Sequence, residues 1–158
     1  MRPKIKLEKS IPEKIANSIG YAAILFLIIF FFAKMSTLPA EIPMHYNGVT
    51  VDRYGSKWET IALILIAIAT QIGLEFLERK PQLHNYPTRF NEENAEEFYR
   101  ASSQILNYTK NTIAVLMAFI MYEILTLQEQ LSPLFWVLIA LVIGLSIWGV
   151  MKMSRIGK

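Results

Sequence analysis

Between Lys14 and Lys34 the chain reads IANSIGYAAILFLIIFFFA, residues 15–33, without one charged side chain. A helix crossing the hydrocarbon core of a bilayer needs roughly 20 apolar residues, so this stretch alone points away from a soluble domain. Its basic approach resembles that of a secretory signal. The apolar run, however, exceeds the usual ~7–15-residue signal core and no A-x-A cleavage site follows, so an uncleaved anchor is expected.

Three more apolar blocks follow, at 60–77 (TIALILIAIATQIGLEFL), 105–127 and 133–151. The second is preceded by Trp58, placed as an interfacial anchor. The fourth begins with Pro133, a favoured first helical residue. Across the chain 53% of residues are hydrophobic and 18% charged, against roughly 45–50% and about 25% in soluble domains. The expected fold class is an all-α integral membrane protein, one domain over 1–158 with four transmembrane helices. An outer motif loop occupies 34–59, and a cytoplasmic loop with a helix extension occupies 79–104. The absence of cysteine excludes disulfides, thiol catalysis and thiolate metal sites.

Orientation follows from the lysines and arginines. Thirteen of the sixteen fall on one side if both termini are inside: the tail from Arg2 to Lys14, the segment from Arg79 to Lys110, and Lys152, Arg155 and Lys158. Lys34, Arg53 and Lys57 remain outside. The expected location is the bacterial cytoplasmic membrane, multi-pass, with both termini cytoplasmic.

Residues 79–89 (RKPQLHNYPTR) hold two prolines and no apolar period, and read as a loop containing His84. Asn91 then stands as an N-cap, with Glu92 and Glu93 where a helix N-terminus favours negative charge. Ala95, Phe98, Ser102, Ile105, Thr109 and Thr112 recur at helical spacing, and Glu96 and Arg100 form an i,i+4 pair. One helix over 92–127 is expected, on the order of 50 Å long, with roughly four turns beyond the ~30 Å core. That extension either offers a platform to a cytosolic regulator or packs on the basic tail and its own loop.

The outer loop reads LPAEIPMHYNGVTVDRYGSKW over 38–58. Asn47-Gly48 between β-forming flanks is a strong hairpin signal, with Pro39 and Pro43 stiffening the approach. The string Pro39, Ile42, Pro43, His45, Tyr46, Asn47, then Asp52, Tyr54, Gly55, Lys57, resembles the bacterial membrane domain of unknown function that begins the SdpI immunity protein. A second string, Asn85-Tyr86-Pro87 followed by Glu92 to Glu96 and Tyr99-Arg100, is similar to that SdpI-like family as well. The segment from His45 to Asp52 is a residue shorter than the family pattern, which alters the hairpin tip. The resemblance implies a membrane receptor that protects against a secreted toxin outside and engages a cytosolic regulator inside. The slight basic excess, net +3, reads as flanks facing anionic lipid, so no direct nucleic-acid contact is expected.

The residues expected to bind a ligand in the outer loop are His45, Tyr46, Asn47, Asp52, Arg53, Tyr54 and Lys57. His45, Asp52 and Glu59 lack a paired-histidine spacing, so no metal is expected; His45 and Asp52 read better as loop-fixing residues, with Asp52 holding backbone N–H groups. No nucleophile motif or phosphate loop occurs, so neither enzyme activity nor a cofactor is expected. Glu75 and Lys110 should lie at similar depth near the inner boundary and pair, with exchange of the two charges restoring much of what either loss costs. Glu123 lies a turn from the outer end, near the level of Lys34 and Lys57. These three intramembrane charges read as packing contacts or as an ion path. The functional alternatives are a toxin-immunity or sensing protein, a small transporter, or an accessory subunit of a membrane complex, with homo-oligomerisation compatible with each.

Overall fold

The structure is a computed structural model describing residues 2–157; Lys158, one of the basic residues that bear on orientation, lies outside them. The described residues form four long helices and one hairpin: α1 (Ile11–Met35), β1 (Glu41–Tyr46), β2 (Val51–Ser56), α2 (Ile61–Glu78), α3 (Ala95–Leu125) and α4 (Pro133–Arg155). Short 3-10 turns at Lys57–Thr60 and Pro81–Leu83 lead into and out of α2.

Among the described residues three helices are long and apolar enough to cross a membrane: α1, α2 with its preceding turn, and α4. They leave much of their apolar surface uncovered, including Ile15, Leu25, Phe32, Leu65, Ile72, Val137, Ile147 and Val150. In water such surface would be costly; against lipid tails it is the normal exterior. This membrane-helix character is that of an integral membrane protein.

The fourth helix, α3, is less apolar, for a reason visible in its packing. It lies at the centre, touching α1, α2 and α4, while α1 and α2 meet only slightly. Its surroundings are protein rather than lipid, so its sequence can carry Ser102, Ser103, Asn107, Lys110, Asn111 and Glu123 as buried residues. Two glycines permit the close approach. A Cβ on Gly20 of α1 would stand 2.1 Å from Asn111 Oδ1, and one on Gly149 of α4 would stand 2.6 Å from Ile105 Cδ1. Small residues at such crossings let helix backbones meet.

α3 begins at Ala95, three residues later than Asn91 as N-cap predicts. Asn91 and Asn94 each accept the other's backbone N–H, at 3.0 and 2.9 Å, closing a turn that leaves Asn94 as the cap. It ends at Leu125 with Gln128 N–H donating to the Glu123 carbonyl and Leu127 N–H to that of Ile124. This is the Schellman arrangement, here with Leu127 at φ 57 where glycine is usual.

β1 and β2 pair antiparallel, from Glu41 opposite Ser56 to Tyr46 opposite Val51, with irregularities around His45. The reversal takes four residues, Asn47–Thr50, so Val49 and Thr50 belong to the turn rather than to a strand. Gly48 has φ +102, and Asn47 Oδ1 accepts from both Thr50 N–H and Thr50 Oγ1. The hairpin seats Ile42 in a core of Leu27, Phe31, Met35, Ala67, Ala118, Met121, Ile124 and Leu125.

Candidate functional site

Polar groups concentrate at the two ends of the bundle, and the apolar core just named lies between them. At the hairpin end the connection between α3 and α4 joins the turn as a third strip of backbone. Val51 N–H donates to Glu129 O at 3.1 Å and Leu131 N–H to Val49 O at 2.8 Å. Tyr46 Oη donates to Gln128 O at 2.8 Å, and Tyr54 Oη reaches the Glu129 carboxylate at 2.8–2.9 Å. Burial, with the nearby Glu123 and Glu129 carboxylates adding to it, pushes the Tyr46 phenol up to about 12. The bond to Glu129 raises that of Tyr54.

Each residue expected to bind a ligand has a partner inside the molecule. His45 Nδ1 lies 2.6 Å from Asp52 Oδ1, so Asp52 meets a side chain and the backbone-bracing role belongs to Asn47. Arg53 Nη2 donates to Glu59 at 3.1 Å. Arg53 and Tyr54 sit along β2 rather than at the tip. Lys57 Nζ donates to the carbonyls of Met35 and Leu38, at 2.7 and 2.9 Å, placing a cation at the carboxyl end of α1, where the helix dipole favours it.

Glu123 pairs with neither Lys34 nor Lys57. Its Oε1 accepts the backbone N–H of Ser132, the N-cap of α4, at 2.9 Å. A carboxylate there complements the positive end of α4. Its Oε2 is buried and has no hydrogen-bond partner among the described residues. A cavity of about 570 Å³ opens beside it, between the hairpin, α2, α3 and the start of α4.

At the other end Lys110, fully buried, contacts both Glu75 and Glu78, with Nζ 2.5 Å from Glu78 Oε2. Lys9 of the tail joins both carboxylates, at 3.2 and 2.8 Å, and Arg79 holds Glu75 at 2.7 Å. Burial would lower the Lys9 ammonium, but the Glu78 and Glu75 carboxylates outweigh it and raise its pKa. A chain of amides continues into the bundle: Asn107 Nδ2 donates to Glu78 and to Asn17, Asn111 Nδ2 to Asn17, and Gln71 Nε2 to Asn111. Sequence reasoning reached Glu75 and Lys110 and missed Lys9, Glu78 and the amides. The available signal was the spacing Ser103, Asn107, Lys110, Asn111, Ala114, a small-and-polar stripe one position away from the Ile105, Thr109, Thr112 face.

Around this end the α3 extension packs on its own surroundings. Phe98 and Ala101 meet Ile156, Tyr86, Phe90 and Met153. Arg2 stacks over Tyr86 and Phe90, with its carbon 5.3 and 5.4 Å from the ring centres. His84 Nε2 is 2.9 Å from the Leu77 carbonyl, which can only accept, so that nitrogen carries the proton; Nδ1 faces Ser102 Oγ at 3.0 Å. Burial lowers the His84 pKa.

The family described as a domain of unknown function (DUF1648) matches residues 22–69, from the apolar half of α1 through the hairpin into α2. No curated protein matches the chain, and no solved structure matches it.

Proposed function

We propose that the chain is an envelope membrane protein of the SdpI-like type, acting in toxin immunity or signal sensing, with the hairpin end outside and the tail, inner loop and α3 extension in the cytoplasm. All four helices then cross the bilayer, α3 shielded from lipid by the other three. The observation that carries the reading is the bracing of the hairpin: the stretch matched by the family is tied by backbone bonds to the loop leaving α3. A ligand on the hairpin end therefore presses on the helix that meets the tail at its other end. Transport is the weaker alternative, because Leu27, Phe31, Ala67, Ala118 and Met121 interrupt the polar groups between Gln71 and Glu123.

The test is survival of toxin-sensitive bacteria expressing the chain and challenged with a peptide toxin encoded beside its gene. Protection is expected, weakened by Arg53→Ala with the membrane level of the protein unchanged on immunoblots. No protection by the unmodified chain would refute the immunity reading.

A further inference from the structure

The cavity at the hairpin end is walled by Met44, Leu63, Ile120, Leu131 and Phe135, and no lysine or arginine lines it. Two carboxylates do. Glu59 is committed, its oxygens held by Arg53 at 3.1 Å and by the backbone N–H of Ser56 at 2.9 Å. Glu123 is not. Only 2% of this residue is exposed. One oxygen anchors α4 through Ser132 N–H, and the other meets nothing among the described residues.

We infer that this cavity is a binding site for an amphiphilic ammonium, a cationic amine on an apolar body, with Glu123 Oε2 accepting from the ammonium. A buried polar oxygen without a partner costs roughly 1–3 kcal/mol, and more when charged, so a lipid tail filling the space would leave that cost in place. An ammonium removes it with a charge-assisted hydrogen bond, and the apolar walls take the carbon chain, the usual division of labour in a ligand pocket. The site also selects against a zwitterion. The phosphate of phosphatidylethanolamine, a few ångströms from its amine, would find Glu59 and no lysine or arginine among the lining residues, while the lining His45 is already paired with Asp52. The α4 anchor holds the carboxylate in place before a ligand arrives, so little ordering is needed on binding.

The inference deepens the receptor reading by giving the ligand's chemical class, for example a lysine beside apolar residues in a secreted peptide. Its test is independent of protection. The full chain in phosphatidylcholine nanodiscs is melted, followed by tryptophan fluorescence, with increasing octylamine or octan-1-ol. Octylamine is expected to raise the melting temperature saturably and octanol is not. Glu123→Gln keeps an acceptor for Ser132 N–H but not the charge, and should weaken the octylamine response about tenfold, the loss of a single charge-assisted bond. Should that variant fail to fold, Ala62→Phe narrows the cavity and must weaken the response instead. Equal responses to amine and alcohol would overturn the inference. So would an unaltered response in the variant, or a response to phosphatidylethanolamine in the discs and none to octylamine. Those results would leave toxin protection, measured separately, to stand or fall alone.

Discussion

Lys110 is buried completely between two carboxylates, and the cost of removing each partner can be ranked from the contacts. Glu78 is the more buried of the two, 3% exposed against 14% for Glu75, and Glu75 is also held by Arg79. Glu78→Gln therefore leaves Lys110 sharing one carboxylate with Lys9 and Arg79. Breaking a buried pair costs about 3–5 kcal/mol, and the surviving Glu75 places this loss near ~3. Lys110→Met replaces the lysine stem with a side chain of similar length and leaves both carboxylates with Lys9, so a smaller loss of ~2 kcal/mol is expected. The double variant should lose ~3 rather than ~5, a coupling of about 2 kcal/mol, within the range measured for contacting residues. Unfolding in detergent micelles, followed by tryptophan fluorescence, measures all three. Additivity within ~0.5 kcal/mol would show that the two side chains do not meet. The same contacts reverse the expectation from pairing alone that exchanging Glu75 and Lys110 restores stability. Glu75→Lys brings an ammonium beside Lys9 and Arg79, and Lys110→Glu sets a buried carboxylate against Glu78.

Gly20→Leu should destabilise by ~2 kcal/mol or more, since α1 and α3 must separate at Asn111; a melting temperature unchanged from the parent would contradict the close crossing. For His84 the folded pKa lies below the ordinary value near 6.5, because burial disfavours its charged form. Above that value both states are neutral and nothing is lost. As pH falls through it the unfolded chain takes up the proton first, so stability declines below about pH 6.5. Melting temperature measured between pH 7.5 and 5.5 should fall, and less so in His84→Asn; equal slopes would refute the assignment to His84.

The apolar blocks were legible because a lipid-facing helix must be apolar at nearly every position, and α4 duly begins at Pro133. The Asn47-Gly48 turn was legible from local backbone chemistry, though not its four-residue length, which depends on the α3–α4 loop pairing with Val49 and Val51. α3 was harder. Its neighbours are protein, so its buried face is polar where hydropathy looks for apolar residues, and its start at Ala95 depends on the paired asparagines Asn91 and Asn94. Glu78 and Lys9 were hidden for another reason. Each lies at a helix boundary where a charge needs no explanation, and only the packing of the tail beneath α2 and α3 brings them to Lys110. Glu123 was visible as an intramembrane charge, but its partner is the backbone of Ser132, which no charge pattern reveals.

The proposed orientation puts the hairpin end outside and the end bearing Lys110 and the tail inside. Cysteine is absent from the sequence, so a single introduced thiol reports its side without background. Val49 and Thr88 are both exposed, the first in the hairpin turn and the second in the loop between α2 and α3. In intact cells Val49→Cys should react with a membrane-impermeant maleimide, and Thr88→Cys should react only after the membrane is opened. Labelling of Thr88→Cys and protection of Val49→Cys in intact cells would contradict the orientation, and with it the receptor reading of the hairpin.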